Sequence, residues 1–129
     1  MKILLDTSAY SAFKRGIESV LGIIQSAGTI IVPVVVLGEL KAGFKIGTRE
    51  SRNIDELNEF LSSSRVSIAD VTTETTEFYA ELFRQLRKKG TPVPTNDLWI
   101  ASLALEHGCF LSTMDDHFRK IPGIIIRPE

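Results

Sequence analysis

The first thirteen residues, MKILLDTSAYSAF (Met1–Phe13), decide the fold. Ile3, Leu4 and Leu5 form an unbroken apolar run, which suits a short strand covered on both faces. The run ends on an acid, Asp6, followed by two hydroxyl residues, Thr7 and Ser8. Either hydroxyl suits the cap of a following helix whose apolar positions include Ala9, Ala12 and Phe13. A segment built for burial therefore delivers a charge to the point where a strand becomes a helix.

The same alternation continues along the chain. Thr29–Val32, Val66–Val71, Cys109–Leu111 and Ile124–Ile126 read as further short strands. Helical spacing links Ile17, Val20, Leu21 and Ile24 up to Gly28, and then Val36, Leu37, Leu40 and Phe44 after Pro33, which is tolerated at a first helical position. Thr48–Ser64 carries Ile54, Leu57 and Leu61 on one face and reads as an amphipathic surface helix. Thr72 or Thr73 suits the cap of a long helix that ends at Lys88, Lys89 and Gly90, and Thr95 or Asn96 the cap of a helix over Leu98–His107. Strands alternating with helices imply a parallel sheet covered on both faces, because parallel neighbours need crossovers and these are usually helices. The expectation is α/β class: one domain over residues 1–129, a three-layer α/β/α sandwich around a short parallel β-sheet.

Composition agrees. At 129 residues, with 43% hydrophobic and 24% charged positions, the chain has the size and make-up of one ordinary globular domain. Its longest apolar run, Ile30–Leu37, is broken by Pro33 and falls far short of the roughly 20 residues that span a bilayer. The amino end lacks the long apolar stretch of a secretory signal, and one cysteine, Cys109, allows no internal disulfide. A cytoplasmic protein without a membrane association is expected. A net charge of −1 nominates no partner.

Function in an open parallel sheet gathers at the carboxyl ends of the strands. Asp6 closes the first strand, Glu39 lies in the second turn of the helix after the second strand, Asp97 sits in the first turn of a helix antiparallel to the strands, and Asp115 follows the strand Cys109–Leu111. Each acid alone has a plain structural use: Asp97 favours a helix amino end and Asp6 could cap the next helix. Glu39 is harder to explain that way, because it interrupts the apolar stretch VPVVVLGELKAG (Val32–Gly43). Carboxylates that meet must take up protons or be compensated by a cation, and oxygen-only ligands of high charge favour Mg²⁺ or Mn²⁺. Such an ion activates water and neutralises the charge growing on a phosphodiester. Thr7, Ser8, Asn96 and Thr113 supply short polar groups able to orient the acids.

The ordered set LLDTS (4–8), VPVVVLGEL (32–40), TNDLWIASLALEHG (95–108) and FLSTMDDHF (110–118) resembles the PIN-domain nucleases, and closely the VapC-type toxins of type II toxin–antitoxin modules. The resemblance covers essentially the whole chain. It implies a Mg²⁺-dependent endoribonuclease, with Mn²⁺ as a substitute, that hydrolyses RNA with a metal-activated water. Its acids would be Asp6, Glu39, Asp97 and Asp115, with Asp6 and Asp97 as principal metal ligands and Glu39 and Asp115 completing the site directly or through water. It also implies a homodimer held inactive by a cognate VapB-type antitoxin. Asp115 is preferred to its neighbour Asp116 because Thr113, Asp115 and Phe118 fill the family pattern T-x-D-x-x-F; Asp116 is an additional acid.

Other residues are weighed beside these. Lys14, Arg15, Lys41, Lys45 and Arg49 could hold RNA phosphates, although a solvated charged face is the commoner use. Trp99 could stack on a base, but packing is commoner. A triad of Ser112, His117 and Asp116 lacks the required turn. No phosphate-binding or dinucleotide glycine motif occurs, and Ser8 stands where an aspartyl phosphotransferase needs a second acid. An RNA-processing PIN nuclease without an antitoxin is the alternative, and an idle PIN-fold binding protein the third choice.

Overall fold

The computed structural model describes residues 1–129. Five strands, β1 (Lys2–Leu5), β2 (Thr29–Pro33), β3 (Val66–Ala69), β4 (Phe110–Ser112) and β5 (Ile126–Arg127), form one sheet in the order β3-β2-β1-β4-β5. Every pairing is parallel. Six helices make the crossovers: α1 (Thr7–Lys14) and α2 (Glu18–Ser26), α3 (Val34–Ile46) and α4 (Glu50–Leu61), α5 (Thr73–Lys89) and α6 (Thr95–His107). A short 3₁₀ helix over Asp116–Lys120 joins β4 to β5. The expected α/β sandwich is what forms.

Burial explains the centre of the sheet. Ile3, Leu4 and Leu5 of β1 are all fully buried, as are Ile30 of β2 and Leu111 of β4, so β1 sits between two apolar neighbours. The chain builds β2 and β3 on one side of β1 and then returns to place β4 and β5 on the other. That reversal beside β1 is a switch point, the place where open parallel sheets leave a crevice beyond the carboxyl ends of their strands.

Several boundaries differ from the sequence reading, each for a local reason. The first strand stops at Leu5, and of the three caps the sequence offers for α1 it is Asp6, accepting from Ala9 N, that forms, not Thr7 or Ser8. Pro94 occupies the cap position of α6 and the helix begins at Thr95, so neither Thr95 nor Asn96 caps it. Thr72 does cap α5, in a capping box with Thr75, whose hydroxyl also donates to Glu106 at 2.6 Å. β3 is cut to Val66–Ala69, because Val71 is exposed and Thr72 already belongs to the cap of the next helix. The surface helix α4 is shorter than Thr48–Ser64, and its Leu57 is fully buried in the core. β4 slides one residue on from Cys109–Leu111. β5 is Ile126–Arg127 instead of Ile124–Ile126, since pairing with β4 fixes Leu111 opposite Ile126 and Ser112 opposite Arg127.

Candidate active site

The rim of the sheet at the switch point is built from the ends of β1, β4, α3 and α6. Asp6 follows β1 and is almost completely buried, at 4% exposure. Its Oδ1 accepts from the Ala9 amide at 2.8 Å and from the Ser8 hydroxyl at 2.8 Å, and the Thr113 hydroxyl donates to Oδ2. Burial pushes the Asp6 carboxyl above its usual range against the pull of those donors, and the charge of Asp115 adds to the rise. Ser8 Oγ in turn accepts from the Met114 amide at 2.9 Å, and Thr113 Oγ1 from the Asp115 amide at 2.9 Å. Thus Ser8 and Thr113 pin the β4 loop to the first helix cap.

Glu39 is half-buried in the second turn of α3. Thr7 Oγ1 donates to its Oε1 at 2.6 Å and Asn96 Nδ2 to its Oε2 at 3.3 Å. The cost of placing this acid in an apolar helix is therefore met by neutral donors from two other helices. Asp97, in the first turn of α6, has its side chain only 14% exposed. Desolvation first, then the charges of Asp115 and Glu39, push its carboxyl up to about 6, and nearby His117 only partly offsets them.

Asp115 and Asp116 have parted. Asp115 caps the 3₁₀ helix by accepting from the His117 amide at 2.9 Å. It faces Asp97. Asp116 leaves its side chain 91% exposed and pairs with Arg119 at 3.2 Å, away from the other acids. His117 brings Nδ1 to 3.2 Å from Asp115 Oδ1 and 3.9 Å from Asp97 Oδ2. Asp97, Asp115 and His117 form the tightest set at the rim, each offering a ligand atom within 4.8 Å of the others. Asp6 and Glu39 lie outside that trio, close enough for their charges to raise Asp97. The sequence reading considered His117 only for a triad with Ser112 and Asp116. The signal for this second grouping was the spacing Asp115-x-His117, which gains meaning once a 3₁₀ turn folds the ring back toward the acid.

No Lys or Arg forms an ion pair with Asp6, Glu39, Asp97 or Asp115. Carboxylate oxygens in this number, without a Lys or Arg paired to them, fit a hard divalent ion. One helical turn beyond Thr7 and Glu39, α1, α3 and α4 enclose an open groove of about 340 Å³ whose lining includes Lys14, Arg15, Arg49 and Arg52. Lys14 is bound to Glu56 at 3.0 Å, whereas Arg15 and Arg49 make no ion pair. Trp99 stacks on Tyr79, with ring centroids 4.0 Å apart, which is its packing role.

A parallel α/β domain whose switch-point crevice is ringed by acids from four separate segments defines a class of fold and site. The chain belongs to the PIN-domain family, whose model, described as "PIN domain", matches residues 3–124. Within it, the chain is similar to VapC proteins. Ribonuclease VapC2 of Rickettsia felis is 35% identical over 99 residues, covering 76% of this chain and 72% of that protein. Ribonuclease VapC4 of Mycobacterium tuberculosis is 30% identical over 93 residues, covering 72% of each chain. Among solved structures, the crystal structure of VapBC2 from Rickettsia felis, bound to a DNA fragment from its promoter, superposes with a TM-score of 0.84. Identity there is 30%, with 98% of both chains covered.

Proposed function

We propose that this protein is a divalent-metal-dependent endoribonuclease acting as the toxin of a type II toxin–antitoxin pair. The observation that carries the reading is the rim itself: Asp6, Glu39, Asp97 and Asp115 gathered with no Lys or Arg ion pair among them, and Asp97 pushed up to about 6 by burial and by the acids beside it. Similarity to relatives named as ribonucleases supports RNA as the substrate, and similarity to a VapBC complex supports a VapB-type antitoxin as partner.

Asp6 and Asp97 would be the principal ligands of the ion, Mg²⁺ or Mn²⁺, with Asp115 beside Asp97 joining them and Glu39 completing its surroundings directly or through water. When bound, the ion would polarise a phosphodiester and neutralise the charge that grows during in-line attack. The protein's own groups keep the acids in place: Ser8 and Thr113 orient Asp6, while Thr7 and Asn96 orient Glu39. Arg15 and Arg49, free of ion pairs in a groove one turn away, are suited to the phosphates of a bound strand. A homodimer is part of the proposal.

The test is cleavage of a mixed RNA substrate by purified protein. Cleavage is expected with Mg²⁺ or Mn²⁺ and none with chelator. Asp6→Asn is the informative variant, because asparagine keeps the helix cap while removing the charge. It should fold normally and fail to cut. Chelator-resistant cleavage, or full activity in Asp6→Asn, overturns the reading. Expression of the chain alone should arrest growth, and a small protein encoded beside it should relieve the arrest.

A further inference from the structure

His117 is the one group at the rim that an acid cluster alone does not account for. The backbone that carries its ring is held on both sides. The backbone amide donates to Asp115 Oδ1, and the next residue, Phe118, is 1% exposed in the core, so the 3₁₀ turn that carries the ring is anchored. Nδ1, not the far edge of the ring, faces Asp115 and Asp97. Nδ1 lies 3.2 Å from Asp115 Oδ1 and 3.9 Å from Asp97 Oδ2, separations that ligands on a single ion at roughly 2.0–2.3 Å can span.

We propose that His117 Nδ1 is a ligand to the divalent ion held by Asp97 and Asp115, and that this nitrogen makes the site select Mn²⁺ or a later transition-metal ion over Mg²⁺. This rests on the metal-dependent reading of the rim. An all-carboxylate site offers hard oxygens, which Mg²⁺ accepts well, whereas imidazole suits the transition metals, whose affinity for such sites rises from Mn²⁺ through Fe²⁺ to Co²⁺ and Ni²⁺. The competing use of His117 is as a counterion, an imidazolium that balances two carboxylates. The two uses predict opposite signs. Removing a counterion leaves the site more anionic and strengthens the binding of every divalent ion. Removing a ligand weakens Mn²⁺ selectively.

The experiment titrates untagged full-length protein with Mn²⁺ and with Mg²⁺ by calorimetry, and records pulsed electron paramagnetic resonance of the Mn²⁺ complex. The same measurements follow on His117→Ala and on His117→Gln, with circular dichroism as the check on folding. The side chain is 57% exposed, so both variants should fold. The wild type should bind Mn²⁺ about tenfold more tightly than Mg²⁺ and show nitrogen coupling from a coordinated imidazole. Both variants should lose that coupling and about tenfold in Mn²⁺ affinity, with Mg²⁺ nearly unchanged; ligand-shell losses of this kind run to roughly 10–100-fold. His107 is the only other histidine and lies at the opposite end of α6, so the coupling is assignable. Bound Mn²⁺ without nitrogen coupling, or tighter binding of both ions in the variants, overturns the proposal and leaves the acid site standing. Absence of any binding by the wild type overturns both.

Discussion

Glu56 on α4 is gripped by Lys14 at 3.0 Å and by Arg52 at 3.6 Å, and a hydrogen bond from Lys14, with the charges of Lys14, Arg52 and Arg49, holds its carboxyl below the usual range. Asp97, at the rim, is pushed up to about 6 by burial first and then by the charges of Asp115 and Glu39. Both acids belong to charged clusters. The difference is that the first cluster carries its own cations and the second does not. The chain has 15 Lys and Arg against 16 acids, so cations were not scarce; the fold places none of them in an ion pair with the rim acids. A charged cluster by itself is therefore a poor sign of a metal site, and acids left without Lys or Arg partners are a better one.

The largest effect that follows is on catalysis. Asp97→Asn should reduce RNA cleavage by more than about 10²-fold, the scale seen when a group stabilising transition-state charge is removed. Glu56→Gln, which removes an anion from the basic groove and none from the rim, should not lower cleavage. A variant pair with equal activities would erase the distinction between the clusters.

Stability should separate the clusters next. A carboxyl whose folded value of about 6 lies above the ordinary 3.8 binds more protons folded than unfolded between those values. The stability it contributes is complete below about pH 4 and is lost as the pH rises through about 6. Asp6 is shifted in the same direction by burial. In chelator, the melting temperature should fall across that window, and Asp97→Asn should flatten the fall and melt higher than wild type at pH 7. Saturating Mn²⁺ should raise the wild-type value by mass action. Metal-free wild type and Asp97→Asn with the same pH dependence from 4 to 7 would show that Asp97 is already compensated.

Smaller still is the effect expected at the surface pair. Glu56→Gln should shift the melting temperature by no more than about two degrees, because exposed ion pairs contribute little. Asp116→Asn should change neither cleavage nor melting measurably, since Asp116 is turned to solvent and paired with Arg119. Loss of cleavage in Asp116→Asn would exchange the roles given to the two adjacent acids.

Much of this arrangement was legible in the amino-acid sequence, because strand length and apolar continuity at Ile3–Leu5, Ile30–Val32 and Leu111 are local signals, and the acids follow directly from where those strands end. Other features are set by contacts distant in sequence. Thr7 reads as a helix cap, yet its hydroxyl is taken by Glu39, 32 residues away, and the cap falls to Asp6. Thr113 reads as a turn residue, and only the folded sheet shows it bonded to Asp6, 107 residues earlier. β5 takes its register from β4, which the apolar run Ile124–Ile126 could not foretell. His117 needed the backbone of a 3₁₀ turn before its nitrogen could be placed beside two acids.

The central claim is that the rim draws a divalent ion to acids the fold leaves without cationic partners. The direct measurement is an anomalous difference map from crystals equilibrated with millimolar Mn²⁺. The account predicts one dominant peak in the crevice, within coordination distance of Asp97 and Asp115 and in the immediate neighbourhood of Asp6. A rim without a peak under those conditions, or a dominant peak at Glu56 instead, would contradict it.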